Sequence, residues 1–418
     1  MIIPRFLSCL LAGMLGLNGA LAEQRVEAGG DLATLIKSAV PGETLRLAGG
    51  EHVGSVEIDK PLTLECERGA VIDGQGKGSV ITVTSEGVTI RGCQIIGSGD
   101  KHDKIDSGVR LLKGATGAVV EGNTFTGNLY GVDVHGAKDA KVFDNKIIGR
   151  KGHRMNRRGN GVYVWNAPGT EVSGNDIRFG RDGIFTNTSR KNVFTRNTFR
   201  DLRFAVHYMY TQDSVVKDNY SSGNHLGYAI MFSKGVHMEN NVSFNDRDQG
   251  IMLNYANKSV VKGNYVSGPK ERALFIYNSH KNKISENWFE KSAIGIHFTA
   301  GSERNSVFRN TFASNRQQVK YVGAKWIDWS LDGQGNYWSD HSAYDLNNDN
   351  IADSPYRPND TMDRILWTQP SAKLLLGSPA VQLVRWAQKS FPATLPGGVI
   401  DRHPLMKPIR PQAMEKLQ

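Results

Sequence analysis

Soft metal donors recur at related positions along one stretch of this 418-residue chain. The segments AVHYM (205–209), AIMFS (229–233) and GIMLN (250–254) carry His207, Met209, Met231 and Met252, and GIHFT (295–299) adds His297. Thioethers and neutral imidazoles suit a soft cation such as Cu(I) and serve Ca²⁺ or Mg²⁺ poorly. Methionine also has a purely packing use, in apolar ladders and partner-binding patches. What decides between the two is whether these side chains share one exposed face.

That question leads to the elements that carry them. Asparagines recur in a matching setting at Asn123, Asn145, Asn175, Asn197, Asn219, Asn241, Asn264, Asn287 and Asn310, with spacings of 22, 30, 22, 22, 22, 23, 23 and 23 residues. A period of this length, with short β runs and polar turns, predicts an all-β fold: a right-handed parallel β-helix solenoid whose coils stack to share one core. A turn asparagine tolerates left-handed backbone, and a column of them can bond from coil to coil. The solenoid is expected over residues 23–325. DLATLIKSAV (31–40) has helical spacing after Asp31 and should cap the open first coil.

Each repeat holds a second short strand that begins with a small residue: GVDVH, GVYVW, GIFTN, AVHYM, AIMFS, GIMLN, ALFIY and GIHFT. Counted from that residue, the first and third positions after it are mostly apolar and point inward, so the second points outward. The outer column then reads Asp133, Tyr163, Phe185, His207, Met231, Met252, Phe275 and His297. On this reading His207, Met231 and Met252 occupy consecutive rungs roughly 4.8 Å apart, within reach of one ion. Met209 lies on the same face as an alternative sulfur, and His297 lies further along it.

Two segments break the period at the same point of the repeat, GDKHDKIDS (99–107) and RKGHRMNRR (150–158), and should project from one corner two coils apart. The second carries Arg150, Lys151, His153, Arg154, Arg157 and Arg158, a candidate docking loop whose alternative is a plain solvated surface. Cys93 stands where an earlier repeat would place its asparagine. It could pair with Cys66, but two cysteines leave both pairing and free thiols open.

The first 22 residues read as a secretory signal: Arg5, the apolar run FLSCLLAGMLGLNGA, and Ala20-Leu21-Ala22 before Glu23. The formal net charge is +10, of which Arg5 leaves with the signal. A basic exported protein fits an anionic partner, a membrane surface or an acidic polysaccharide.

Beyond Asn310 the repeat fades into a tryptophan-rich extension (326–418). There Asp345, Asn347, Asp349 and Asp353 stand at positions 1, 3, 5 and 9 of a calcium-type loop, with Asn350 at the glycine position and no twelfth acidic ligand. SAKLLLGSPAVQLVRWAQKSFP (371–392) includes a short amphipathic helix with Leu383, Val384 and Trp386 on its apolar face, fit to cap the last coil or to dock.

GQGNYWSD, DLNNDNIADSPYRPND, SAKLLLGSPAVQ and the repeat array together resemble the NosD family, exported maturation factors of nitrous-oxide reductase. The resemblance runs over essentially the whole chain after the signal. It implies a periplasmic β-helix attached to the inner membrane through an ABC transporter permease with its cytoplasmic ATPase. It further implies a role in assembling the reductase's copper–sulfur centre, by binding and handing over Cu(I) or by presenting a sulfur species, with a small copper chaperone as partner and no nucleic acid. The role is that of an accessory protein without catalytic activity of its own. Against this stands YGVDVH (130–135), which resembles a segment of alginate epimerases: Asp133 and His135, both outward, could serve as base and acid on an acidic glycan in an epimerase or lyase.

Overall fold

The computed structural model describes residues 23–417 apart from 300, 324, 360, 363, 364, 366–368, 376 and 392–397. The proposed signal lies outside these residues. Three long parallel sheets of 13, 12 and 13 strands run side by side along a solenoid. Sheet 1 runs from Glu23–Val26 to Ser306–Phe308, sheet 2 from Val56–Ile58 to Gln317–Val322, and sheet 3 from Gly50–Val53 to Tyr337–Trp338. Each complete coil contributes one short strand to each sheet. Inward residues such as Val120, Phe199, Tyr228 and Ile284 form one continuous apolar column.

The asparagines do what their spacing predicts. The Asn145 amide N–H donates to Asn175 Oδ1 at 2.9 Å, and Asn145 Nδ2 donates both to Val120 O at 2.9 Å and to Asn175 Oδ1 at 3.0 Å. The pattern repeats coil by coil through Asn310, which bonds in turn to Asn336. These amides are buried, so each ladder bond answers a donor that would otherwise be orphaned. Cys93 begins the series, its N–H donating to Asn123 Oδ1 at 2.9 Å, and its sulfur is joined to Cys66 in a disulfide.

Both ends of the core are covered. Helix α1 (Leu32–Ser38) is N-capped by Asp31, whose Oδ1 accepts from the Thr34 amide, and it buries Leu32 and Ile36 over the first coil. At the other end the rings of Phe289, Phe312, Trp338 and Tyr356 stack in series at 5.3, 4.6 and 4.5 Å. The solenoid therefore runs past residue 325: Tyr337 and Trp338 pair with Thr311 and Phe312 as the last strand of sheet 3. From Asp401 the chain doubles back, bonding Ile409 to Thr311 and packing Ala413 against Val242 and Tyr265.

Candidate functional site

The outer face of sheet 2 carries the soft donors, but in a different register from the one read in the sequence. His207 pairs with Ala229, and Ala229 with Met252. Met231 pairs with Met209 on one side and Asn254 on the other. The outer column is therefore Asp133, Tyr163, Phe185, His207, Ala229, Met252, Phe275 and His297, with Met231 displaced into a second column beside Met209. The physical reason lies in strand Leu226–Met231 (LGYAIM). Gly227, not Ala229, is its small residue, and Tyr228 and Ile230 are the buried inward pair.

The corrected register places a small side chain between the donors. Ala229 faces outward between His207 and Met252, yet it is fully buried. The larger side chains around it therefore lean across it. His207 and Met252 lie two rungs apart, roughly 10 Å between backbones, and the Met209–Met231 pair occupies the adjoining column. His297 stands two rungs beyond Met252, past Phe275.

His207 is the most constrained member. It is 6% exposed, stacked on Phe185 at 4.7 Å and met edge-on by Phe204 at 5.0 Å. Its Nδ1 lies 3.0 Å from Asp182 Oδ2, while its Nε2 is buried with no hydrogen-bond partner among the described residues. Asp182 is itself buried and gripped by Arg203, with Nε to Oδ1 at 2.8 Å and Nη2 to Oδ2 at 2.6 Å. Burial acts to raise the Asp182 pKa, but the bonds from His207 and Arg203 outweigh it and the carboxyl sits below its usual range. His297 is pushed down to about 4 by burial, with Arg272 and Lys320 adding to the effect, so its imidazole is neutral at pH 7.

Sequence reading missed Asp182 and Arg203 because they stand at the starts of adjacent coils' strands, Asp182 as the first residue of one and Arg203 just before the next. It also missed three exposed rings, Tyr210, Phe232 and Tyr255, which follow Met209, Met231 and Asn254 and stack at 5.3 and 5.0 Å. All three adopt left-handed backbone, with φ of 52°, 48° and 52°. That conformation costs a bulky residue on the order of 1–3 kcal/mol, and core packing does not repay it at an exposed corner.

The other candidates fare unevenly. Asp133 sits on the outer column but is fully buried, 3.1 Å from Arg110 Nε and 3.8 Å from His135 Nδ1, and burial raises its pKa. His135 stacks on Trp165 at 4.3 Å. The carboxylate expected to face a sugar is thus covered.

The two insertions meet at one corner. Arg150 pairs with Asp100 and donates to Gly127 O at 2.8 Å and Ser98 O at 3.3 Å, so it straps the loops together instead of projecting to dock. Arg158 is likewise spent on the carbonyls of His153 and Lys151. Lys151 lies over the Phe179 ring, and His153, Arg154 and Arg157 remain exposed.

The acidic loop does not assemble a calcium cage. Asp345 accepts from the amides of Asp349 and Asn350, Asp349 from Ile351 and Asp353 from Leu346, which makes it a set of Asx turns. Asn350 takes the expected left-handed turn, with φ of 66°. Among the described residues no three His, Cys, Asp or Glu side chains gather to hold an ion, and calcium finds no support. Helix α2 (Pro379–Ser390) exposes Leu383, Val384 and Trp386, the last 62% accessible. No described helix is long and apolar enough to cross a membrane.

The fold defines a β-helix protein with histidine and methionine side chains on one sheet face, and comparison with known proteins bears out the fold. Residues 65–177 match the family model for a right handed beta helix region, and residues 143–343 match that of the periplasmic copper-binding protein NosD. The chain is 42% identical over 376 residues to a probable ABC transporter binding protein NosD of Stutzerimonas stutzeri, covering 87% of this chain and 86% of that one. It is 42% identical over 397 residues to the Pseudomonas aeruginosa protein of the same name, covering 90% and 93%. The chain belongs to the NosD family.

Solved structures share only the fold. A mannuronic acid specific polysaccharide family 6 lyase from human gut microbiota has a TM-score of 0.54 at 15% identity, covering 76% of this chain and 87% of its own. A Yersinia enterocolitica family 28 exopolygalacturonase scores 0.50 at 11% identity, covering 72% and 78%.

Proposed function

We propose that this chain is a periplasmic accessory protein of an ABC transporter, without catalytic activity of its own. It binds Cu(I) on the outer face of sheet 2 and hands it on during assembly of the copper–sulfur centre of nitrous-oxide reductase. One observation carries the metal-binding part: a buried imidazole whose Nε2 has no partner among the described residues, beside an outward alanine that its neighbours cover, with Met209 on its own rung, Met231 on the next and Met252 on the one after. His207, Met252 and the Met209–Met231 pair supply a donor set suited to a soft monovalent ion. His297, neutral and further along the same column, extends the face.

The strained aromatics Tyr210, Phe232 and Tyr255 border this site and offer a copper chaperone or the reductase an apolar landing surface. The exposed apolar side of α2 with Trp386 offers the permease a second one. Arg154 and Arg157 are the exposed cations left to dock, with His153 exposed beside them. The relatives' name as transporter binding proteins supports the accessory role. The alternative, an epimerase or lyase on an acidic glycan, would need Asp133 at a surface from which it is buried.

The test is anaerobic Cu(I) titration of the exported chain against a competing chelator, beside His207→Ala and the triple variant Met209→Leu, Met231→Leu, Met252→Leu. Binding that is lost in both folded variants supports the site. A wild type that cannot compete with the chelator, or variants that match it, overturns the site.

A further inference from the structure

We infer that Asp182 is a positioning residue that fixes His207 as its Nδ1–H tautomer and so presents the Nε2 lone pair to a soft cation. This rests on the copper-binding reading above and adds to it the nitrogen that binds and the residue that selects it. Asp182 Oδ2 lies 3.0 Å from Nδ1, and an ionised carboxylate only accepts, so the proton of a neutral ring must sit on Nδ1. Arg203 Nη2, which only donates, also lies 3.4 Å from Nδ1, but its N–H is taken by Asp182 Oδ2 at 2.6 Å, and the carboxylate at 3.0 Å is the nearer partner of the ring nitrogen. Nε2 is buried and has no acceptor or donor in hydrogen-bond range among the described residues. Phe185 beneath and Phe204 at the edge hold the ring plane, so the lone pair has a fixed direction.

Arg203 holds the carboxylate in turn. Its two N–H groups take one oxygen each, while Asp182 Oδ2 also receives the histidine. The arginine is kept in place by stacking 4.4 Å from the Phe204 ring. A carboxylate is the only small side chain that can accept from three such donors. An amide in its place supplies a single acceptor oxygen, so at least one of the three bonds must fail. Outer partners of this kind set the tautomer and basicity of a ligand histidine, and losing one typically costs 10–100-fold in metal affinity.

The test uses the exported chain with ¹⁵N-labelled histidine. In the metal-free wild type the His207 nitrogens should report a single Nδ1–H tautomer, and in Asp182→Asn a mixture. Cu(I) affinity in the same variant should fall about 10–100-fold. Arg203→Gln, which leaves the Asp182–His207 bond in place, should keep the tautomer and lose less affinity, and it serves if Asp182→Asn does not fold. A wild-type ring protonated on Nε2, or an Asp182→Asn protein with unchanged affinity, overturns the inference. Copper binding that survives His207→Ala instead sinks the copper reading of the face, and the tautomer measurement separates the two failures because it needs no metal.

Discussion

The backbone N–H of Asn336 donates to Asp401 Oδ2 at 2.7 Å, so a carboxyl 65 residues downstream closes the asparagine ladder. The same oxygen accepts from Trp338 Nε1 at 2.9 Å, and Oδ1 accepts from the His403 amide at 3.1 Å. The C-terminal extension is thereby wired into the last coil by one buried side chain.

That carboxyl makes the cap sensitive to pH. Burial pushes the Asp401 pKa up to about 6, against the pull of its hydrogen bonds. A folded pKa above the unfolded one means that the folded state holds the proton more tightly. The contribution is full below pH 4 and is lost as pH rises through about 6. At about 1.4 kcal/mol per unit the ceiling is roughly 3 kcal/mol. Urea unfolding of wild type and Asp401→Asn at pH 4.5 and 7.5 should show a smaller loss on raising pH in the variant. An identical pH dependence in the two proteins would refute the assignment. Asp246, also near 6 through burial, makes the same contribution in the middle of the solenoid.

Within the ladder, Asn241→Ala removes the acceptor for the Asn219 amide and Asn219 Nδ2 and the donor to Val216 O. Each buried group left unpaired costs about 1–3 kcal/mol. We expect thermal unfolding of this variant to begin many degrees earlier than that of Asn347→Ala, an exposed turn position where the change should stay within about 0.5 kcal/mol. Equal melting of the two would mean that the ladder bonds contribute no net stability.

Arg150 predicts a local effect. Its replacement by Ala removes the ties to Asp100, Gly127 and Ser98 and leaves the contact of His102 Nε2 with Arg157 O, at 3.3 Å, as the remaining hydrogen bond between the two insertions among the described residues. Amides across 99–107 should exchange faster with deuterium while those of the ladder asparagines stay protected. Unchanged exchange in both loops would mean that another contact holds them.

The solenoid was legible because its signal is repeated: nine asparagines at near-constant spacing specify a stack, and an error at one coil is outvoted by the others. The site was less legible because it depends on the phase of one strand. Val206 lies nine residues after Asn197 and Tyr228 nine after Asn219, so counting from the ladder gives the observed register. Counting from a small residue went wrong because Ala229 mimics the glycine at 227 and a buried Tyr228 looks like a surface residue. Asp182 and Arg203 were beyond reach altogether. They come from adjacent coils, at strand ends where period-two alternation no longer says where a side chain points.

The register yields a sharper test of the copper face than removing its donors. Ala229 is the one outward position where the column narrows, and its neighbours close over it. In Ala229→Leu all four donors remain, but a branched side chain fills the space across which they would converge. The core behind it is unaffected, since Tyr228 and Ile230 carry the packing on the inner face. We expect Cu(I) affinity to fall at least tenfold, with a loss of stability of about 1–3 kcal/mol from local overpacking. A folded Ala229→Leu protein that binds Cu(I) as wild type does would place the ion elsewhere on the solenoid, whatever His207 contributes.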